Sequence, residues 1–472
     1  MEKSETKRNK WFVFIVVAVG VFMSTLDGSI VNIALPTIMK DLSASMLTIE
    51  WVMMIYLLTV SSLLLSFGRL SDIKGRRWIY TRGLTVFSTG SLFCGMASTA
   101  FWLIAARCFQ GIGAAMIMSC TQAIIIESFP ISERGKAMGM LGAVVASGLT
   151  CGPALGGWIL HVSSWQTIFY INIPIGLLTA LAGTKLLKGG KADIRRTESF
   201  DLAGAILLAI STACFLFVLT HGYDWGYSNP SIICLIFVCV ISFTGLVLEE
   251  FRAEHPLLNP VLLKIRLFTM PVLAAMILFS SLFTIVFLMP FFLIYPCGFS
   301  PKMTGYIMVT PFVFLFIFAP LSGALSDRIG SRFLCTFGMI ILTVSFFFMA
   351  QLSPEYSQMS ISWPLALAGI GIAIFTAPNN AVAMSAVPPE YMGVSAGTVA
   401  TMRNLGMVLG IALSGCIFNN VFYTLSNGLN LKVYTPELKP IFMEAFSYAM
   451  TAGGIVAGIG VIITYLRGPE IK

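Results

Sequence analysis

Long apolar runs separated by short polar stretches dominate the chain. A helix needs about 20 apolar residues to cross a bilayer core about 30 Å thick, and fourteen runs meet that need. The spans must be helices because lipid offers the backbone no hydrogen-bond partner. The predicted spans are 11–35, 51–69, 78–98, 101–126, 137–160, 165–187, 202–220, 231–249, 269–296, 302–322, 333–352, 361–386, 397–422 and 441–466.

The composition agrees with this pattern. Of the 472 residues, 57% are apolar and 11% are charged, whereas soluble domains usually carry about 25% charged residues. The mean hydropathy is +0.88. These values exclude a soluble globule, a disordered chain, collagen and a nucleic-acid-binding protein, in spite of the net charge of +8. We predict an all-α polytopic membrane protein with fourteen transmembrane helices.

Cysteine and histidine residues do not indicate a metal centre. The ten cysteines lie mostly in apolar runs, no CxxC pair occurs, and the three histidines are scattered. We therefore predict no bound metal and no disulfide framework. The first apolar run is also too long for a cleaved signal peptide.

The distribution of lysine and arginine predicts the orientation. With the N-terminus in the cytoplasm, the inner segments hold 23 of the 29 basic residues and the outer loops hold four. The positive-inside rule then predicts a cell-membrane protein with both termini cytoplasmic. The basic excess is explained by this anchoring and implies no acidic partner.

A sequence repeat divides the chain into two related halves. Residues 68–77 follow the second span and residues 323–332 follow the tenth, and both read G-x-L-S-D-x-x-G-x-R. If each marks the turn between the second and third spans of a bundle, three regions result. They are an N-terminal six-helix bundle (1–190), an inserted two-helix hairpin with its connectors (191–266) and a C-terminal six-helix bundle (267–472). Two such bundles around a midplane cavity are a recurrent transporter architecture.

These motifs resemble those of the major facilitator superfamily, and in particular its fourteen-span drug:proton antiporter group. The loop at 68–77 resembles the family signature between helices two and three. Four further segments resemble motifs of helices one, four, five and six: Leu26–Pro36, Arg107–Ala115, Gly148–Gly157 and Trp165–Pro174. The resemblance implies the major facilitator fold and proton-coupled export. Two departures stand out: Gln166 replaces the usual arginine, and spans 9–14 lack the central acid of relatives that export cationic dyes.

Asp27 and Arg107 are the predicted proton-coupling residues. Asp27 lies about 24 Å along the first span, where an unpaired charge costs a few kcal/mol or more. A carboxylate in that medium can take up and release a proton as the cavity changes sides. Arg107 falls at a similar depth, so the two side chains can form a conditional pair. The alternative for both residues is a permanent ion pair that only braces helices.

Two further motifs have candidate mechanical roles. The resemblance implies that the loop containing Gly68, Asp72, Gly75, Arg76 and Arg77, with Asp327 in the second copy, acts as a cytoplasmic gate between the bundles; its basic residues could instead only anchor the topology. In span 5, four-residue spacing places three glycines on one face beside a helix-weakening proline. That segment is either a sealing helix for antiport or an ordinary packing surface. Its residues are Gly148, Gly152, Pro153, Gly156 and Gly157.

Polar residues within spans are the candidates for substrate contact, because in hydrocarbon they must face protein or a wet cavity. Interhelical hydrogen bonding is the alternative for each. The candidates are Asn32, Tyr56, Gln110, Asn172, Asn379, Asn380 and Arg403.

Together these features predict a secondary transporter rather than an enzyme. No G-x-x-x-x-G-K-[ST] motif for ATP binding occurs, nor does H-E-x-x-H. We expect a monomer that exports amphipathic or lipophilic small molecules, with protons as its other partner, the bilayer as its surroundings and no cofactor. The alternatives are an exporter of a specific endogenous metabolite or lipid, and a membrane sensor that does not transport.

Overall fold

The computed structural model describes residues 2–187, 202–252, 262, 264–388 and 391–468. Within them, fourteen helices exceed ten residues, which confirms the all-α prediction. Their bounds are α1 Glu2–Asp41, α2 Met46–Lys74, α3 Arg76–Gly95, α4 Ala100–Ser128, α5 Ile131–Val162, α6 Asn172–Leu186, α7 Leu202–Trp225, α8 Pro230–Arg252, α9 Arg266–Ile294, α10 Pro301–Ile329, α11 Ser331–Ala350, α12 Gln358–Ser385, α13 Met392–Leu425 and α14 Lys439–Leu466.

The helices match the predicted spans one for one, with two local differences. The sixth span opens with a separate helical turn, Thr167–Tyr170, before α6. In the part of the chain that the structure describes, twelve helices are long and apolar enough to cross a membrane. Those twelve leave out α3, which contains three arginines, and α7, whose described apolar stretch is the shorter Ile206–Gly222.

Helix termini repeat between the two halves. Ser45 and Thr99 cap the N-termini of α2 and α4 by accepting a hydrogen bond from a backbone N–H, and Ser300 and Ser357 do the same for α10 and α12. The turn after α2 uses Gly75 at φ 93°, and the turn after α10 uses Gly330 at φ 89°. Side chains other than glycine rarely adopt this conformation.

The same repeat appears at the starts of α3 and α11. Arg77 donates to the carbonyl of Thr184 at the end of α6. Arg332 donates to the carbonyl of Tyr465 at the end of α14, at 2.9 Å. Each half therefore ties its third helix to its sixth by the equivalent arginine.

Two helix pairs make most of the contacts between the halves, and α1 adds smaller contacts with α9 and α10. α2 packs on α13, and α5 packs on α10, whereas the inserted helices α7 and α8 pack on each other. Helix α7 also contacts both α2 and α13, so the inserted pair covers the α2–α13 seam. The α5–α10 seam has no such cover among the described helices.

The halves are pressed together on the side of the molecule that lies away from the chain termini, which we call the distal side. There a Cβ at Gly157 of α5 would lie 2.5 Å from the carbonyl oxygen of Pro301 and 3.1 Å from Gly305 Cα, both in α10. The side that holds Lys10 and Tyr465, the terminal side, is looser. No atom of another described helix comes within 4 Å of a Cβ built at Gly135, Gly139 or Gly142 of α5, whereas a Cβ at Gly397 of α13 would still meet Leu65 of α2. The space between the bundles therefore opens toward the terminal side along the α5–α10 seam.

We expect Gly157→Ala to separate α5 from α10 on the distal side, because the new Cβ meets backbone atoms that cannot turn away. Spin labels at Ser98 and Met359, both exposed on the distal side, should report longer distances by double electron–electron resonance in a cysteine-free background. Gly139→Ala makes the same change in open space on the same helix and should leave the distances unchanged. Identical distance distributions in the two variants would contradict this closure.

Candidate functional site

Asp27 of α1 and Arg107 of α4 form an ion pair inside the N-terminal half. Arg107 Nη1 donates to Asp27 Oδ2, and both side chains are 0% exposed. The sequence predicted that the two residues could meet, and the structure brings them together. Neither group reaches solvent in this conformation.

Amide and backbone groups add hydrogen bonds to this pair, although Arg107 Nη2 is buried without a hydrogen-bond partner. Asp27 Oδ1 accepts from Gln110 Nε2 at 2.9 Å and from Asn172 Nδ2 at 3.1 Å. Arg107 also donates to Gln110 Oε1 at 2.6 Å and, through Nε, to the carbonyl of Val52 at 3.1 Å. A buried ion pair stabilises a protein only when such extra hydrogen bonds offset its loss of hydration.

Aromatic rings and a hydroxyl surround the network. Arg107 Cζ lies 4.1 Å from the ring centroid of Tyr56 and 5.8 Å from that of Phe169. Gln110 Nε2 donates to Ser91 Oγ at 2.8 Å, and the Tyr56 hydroxyl donates to the carbonyl of Ser24 at 3.2 Å. The network thus links helices α1, α2, α3, α4 and α6.

Three predicted substrate-contact residues belong to this network instead of lining open space. Tyr56, Gln110 and Asn172 are at most 3% exposed, and each contacts Asp27, Arg107 or both. The sequence identified them as polar residues that must face protein. It could not show that they contact the ion pair, because helix packing is what brings them to the same depth as Asp27 and Arg107.

The other four candidates occupy different surroundings. Asn32 donates to the Gly28 carbonyl at 3.2 Å, and Asn379 donates to the Pro271 carbonyl at 3.0 Å; both are buried, and the Oδ1 of each has no partner. Asn380 is exposed and Arg403 is half-buried. Asn380 and Arg403 are therefore the two of the seven that keep more than marginal accessible surface.

The predicted gate loop makes its described contacts within the N-terminal half. Arg76 Nη2 lies 2.8 Å from Asp72 Oδ1, and Arg76 Nη1 lies 2.6 Å from Glu127 Oε1 of α4. Gly68 has no described neighbour within 4 Å of a built Cβ. We expected these charges to latch the two bundles, but here they tie α2 and α3 to α4. Asp327 lies in α10, and its side chain is outside the described residues.

The glycine face of α5 packs on the helix that carries Asp27. Cβ atoms at Gly148, Gly152 and Gly156 would meet Thr25, Ser29 and Ile30 of α1, respectively. Ser29 Oγ also donates to the Gly148 carbonyl at 3.1 Å. On its other side, α5 presents Gly157 and the Pro153 carbonyl to Gly305 of α10. Helix α5 therefore connects Asp27's helix to α10 of the other half, which α1 also contacts directly.

Glu50 is a buried carboxylate that the sequence reasoning missed. It is 0% exposed, accepts a hydrogen bond from Asn419 Nδ2 of α13 at 3.2 Å, and its carboxyl lies against Gly415. The predicted span began at residue 51, so Glu50 fell one residue outside it. Helix α2 in fact begins at Met46, which places this acid more than one turn inside, at the α2–α13 contact on the distal side.

The chain was compared with known proteins. The family model described as "Major Facilitator Superfamily" matches residues 17–411. The "Riboflavin transporter RibZ" of Clostridioides difficile is 35% identical over 457 residues, which cover 97% of each chain. The "Multidrug resistance protein Stp" of Mycobacterium tuberculosis is 29% identical, covering 87% of this chain and 76% of its own.

Among solved structures, the fold is similar to that of a bacterial homologue of the human lysosomal transporter Spinster. The TM-score is 0.71 at 17% identity, with 97% of each chain covered. At this identity the likeness concerns the fold alone.

We expect Arg107→Met to lower the free energy of unfolding by about 3–5 kcal/mol, because it leaves the Asp27 carboxylate buried without its counter-ion. The double variant Arg107→Met with Asp27→Asn should regain part of the lost free energy of unfolding. Denaturant unfolding in detergent, followed by tryptophan fluorescence, measures both effects. Arg82→Met, at an exposed arginine of α3, is the control, with an expected change within about 0.5 kcal/mol. Equal losses of unfolding free energy in Arg107→Met and Arg82→Met would show that the ion pair does not stabilise the structure.

We expect Glu50→Ala to loosen the distal contact between α2 and α13, because Asn419 loses its acceptor and a void forms beside Gly415. Glu50→Gln keeps both an acceptor oxygen and the volume, so it should resemble the wild type. The spin-label pair at Ser98 and Met359 reports the difference. If the spin-label distance is the same in Glu50→Ala and Glu50→Gln, the Glu50–Asn419 hydrogen bond does not hold α2 against α13.

Proposed function

The chain belongs to the Major Facilitator Superfamily, and its relatives include a riboflavin transporter and a multidrug resistance protein. We propose that it exports amphipathic or lipophilic small molecules in exchange for protons. Alternating access between the two bundles carries the substrate, and Asp27 carries the proton. The observation on which this rests is a fully buried carboxylate, paired with an arginine, on the helix against which the glycine face of α5 packs.

The network around Asp27 supports a change of protonation. If α1 moves relative to α4, Asp27 leaves Arg107, and desolvation then favours the neutral acid over the anion. Arg107 keeps Gln110 Oε1 and the Val52 carbonyl as acceptors when it loses the carboxylate. The guanidinium therefore keeps these two acceptors whether or not Asp27 is paired with it.

Helix packing supports coupling between protonation of Asp27 and opening of the distal side. The α5 glycines lie against α1 on either side of the Asp27 level, and Gly157 lies against α10 at the distal closure. A shift of α1 that separates Asp27 from Arg107 must move α5, and α5 forms one of the two seams between the bundles. Opening of the distal side and proton uptake by Asp27 then occur in one step.

The direction of transport follows from the proposed orientation. The basic loops and both termini lie on the terminal side, which the positive-inside rule assigns to the cytoplasm. The inter-bundle space is open to that side, so the substrate enters from the cytoplasm. A proton moving inward releases about 2.3 kcal/mol per 100 mV, enough to oppose a gradient of roughly fiftyfold for a neutral substrate.

Transport of riboflavin or a related metabolite is the second candidate function. It is favoured by the 35% identity to a protein named as a riboflavin transporter over 97% of both chains. The relative named for multidrug resistance is less similar and is covered less completely. Riboflavin therefore belongs in the substrate panel.

Proteoliposomes with an imposed pH gradient test the proposal. Wild-type protein should accumulate a lipophilic fluorescent substrate or riboflavin against its gradient when protons flow the other way. Asp27→Asn should lose this accumulation but retain exchange of labelled for unlabelled substrate, which needs no net proton movement. Asp41→Asn, the same change at the exposed end of α1, is the control. Full gradient-driven accumulation by Asp27→Asn would refute the coupling role.

A further inference from the structure

Arg403 is a cation inside the C-terminal half that the mechanism above does not use. It lies 11 residues after the first residue of α13, Met392, and its Cζ stands 5.5 Å from the ring centroid of Phe279 of α9. The residue is half-buried, while its Nε is buried without a hydrogen-bond partner.

The packing of α13 shows where Arg403 points. Gly406 and Gly410 lie against backbone carbonyls of α9, while Gly397 and Gly415 lie against α2 of the other half. At 3.6 residues per turn, Arg403 lies on the edge of the helix between these two contact faces. The opposite edge holds Cys416, which donates to the Leu219 carbonyl of the inserted helix α7. Arg403 therefore faces the space between the bundles.

No acid neutralises this arginine among the described residues. The ion pairs of the described residues have Lys10, Arg76 and Arg107 as their cations. Of the two fully buried carboxylates, Asp27 is paired with Arg107 and Glu50 accepts from Asn419 at the distal contact. A guanidinium at membrane depth is costly unless a partner or water compensates it. Arg403 therefore presents a positive charge without a protein counter-ion to the space between the bundles.

We propose that Arg403 and Phe279 form the recognition subsite for a negatively charged group carried on an aromatic, apolar body. This rests on the proposed export function and names the substrate class. A guanidinium binds a carboxylate, sulfonate or phosphate through two parallel hydrogen bonds. The Phe279 ring offers an apolar face to the body of the molecule, and Met407, one turn further along α13, adds a flexible apolar contact.

A pair of probes with one skeleton tests the charge preference. 1-Anilinonaphthalene-8-sulfonate and N-phenyl-1-naphthylamine differ by the sulfonate alone. Isothermal titration calorimetry on the purified protein in nanodiscs, with empty nanodiscs subtracted, should give tighter binding for the sulfonate. In Arg403→Met that affinity should fall about ten- to a hundredfold, as expected for hydrogen bonds to a charged group, while the neutral probe changes by less than about twofold. Arg403→Lys should retain an intermediate preference, and Arg82→Met should change neither affinity.

The outcomes separate this inference from the proposed function. Equal affinity for both probes in the wild type, or equal loss of both in Arg403→Met, overturns the subsite. Binding does not require turnover, so a sulfonate preference lost in Arg403→Met supports the subsite even if proteoliposomes show no proton-coupled flux. Proton-coupled flux of the neutral probe without any sulfonate preference leaves the export function standing and removes the subsite.

Discussion

The structure depends most on one ion pair in a medium that cannot hydrate it. Asp27 and Arg107 are fully buried, and five helices supply the groups that surround them. An uncompensated charge at such a site costs several kcal/mol, so the helices of the N-terminal half are held in one register by the need to satisfy it. In the proposed mechanism, the motion that parts these two charges is the step to which proton movement is coupled.

The two halves share a fold but differ in their charged side chains. The turn glycines Gly75 and Gly330 and the ties made by Arg77 and Arg332 repeat with near-equal geometry. The buried ion pair has no described counterpart in the second half, where Arg403 stands over an aromatic ring. The frame of the repeat is thus retained, while the charged side chains differ: the first half holds a buried ion pair, and the second holds a half-buried arginine over an aromatic ring.

Most of the fold could be predicted from the sequence, because apolar run length is dictated by bilayer thickness. The Asp27–Arg107 contact was also predictable, since two opposite charges at one depth in hydrocarbon have few other partners. The roles of Tyr56, Gln110 and Asn172 were not, because side-chain direction depends on helix rotation, which spacing does not define. Glu50 was missed for a simpler reason: helix α2 extends five residues beyond the apolar run, and the edge of a run was taken as the edge of the span.

The inserted pair α7–α8 gives the molecule two unlike flanks. Helix α7 rests on α2 and α13 and thereby shields one seam from lipid, while α5 and α10 meet along the other without such cover in the described chain. The two seams therefore differ in how they meet the bilayer: of the seams between the bundles in the described chain, the one between α5 and α10 is left facing lipid. Under the proposed export function, a substrate dissolved in the membrane would reach the space between the bundles from this flank.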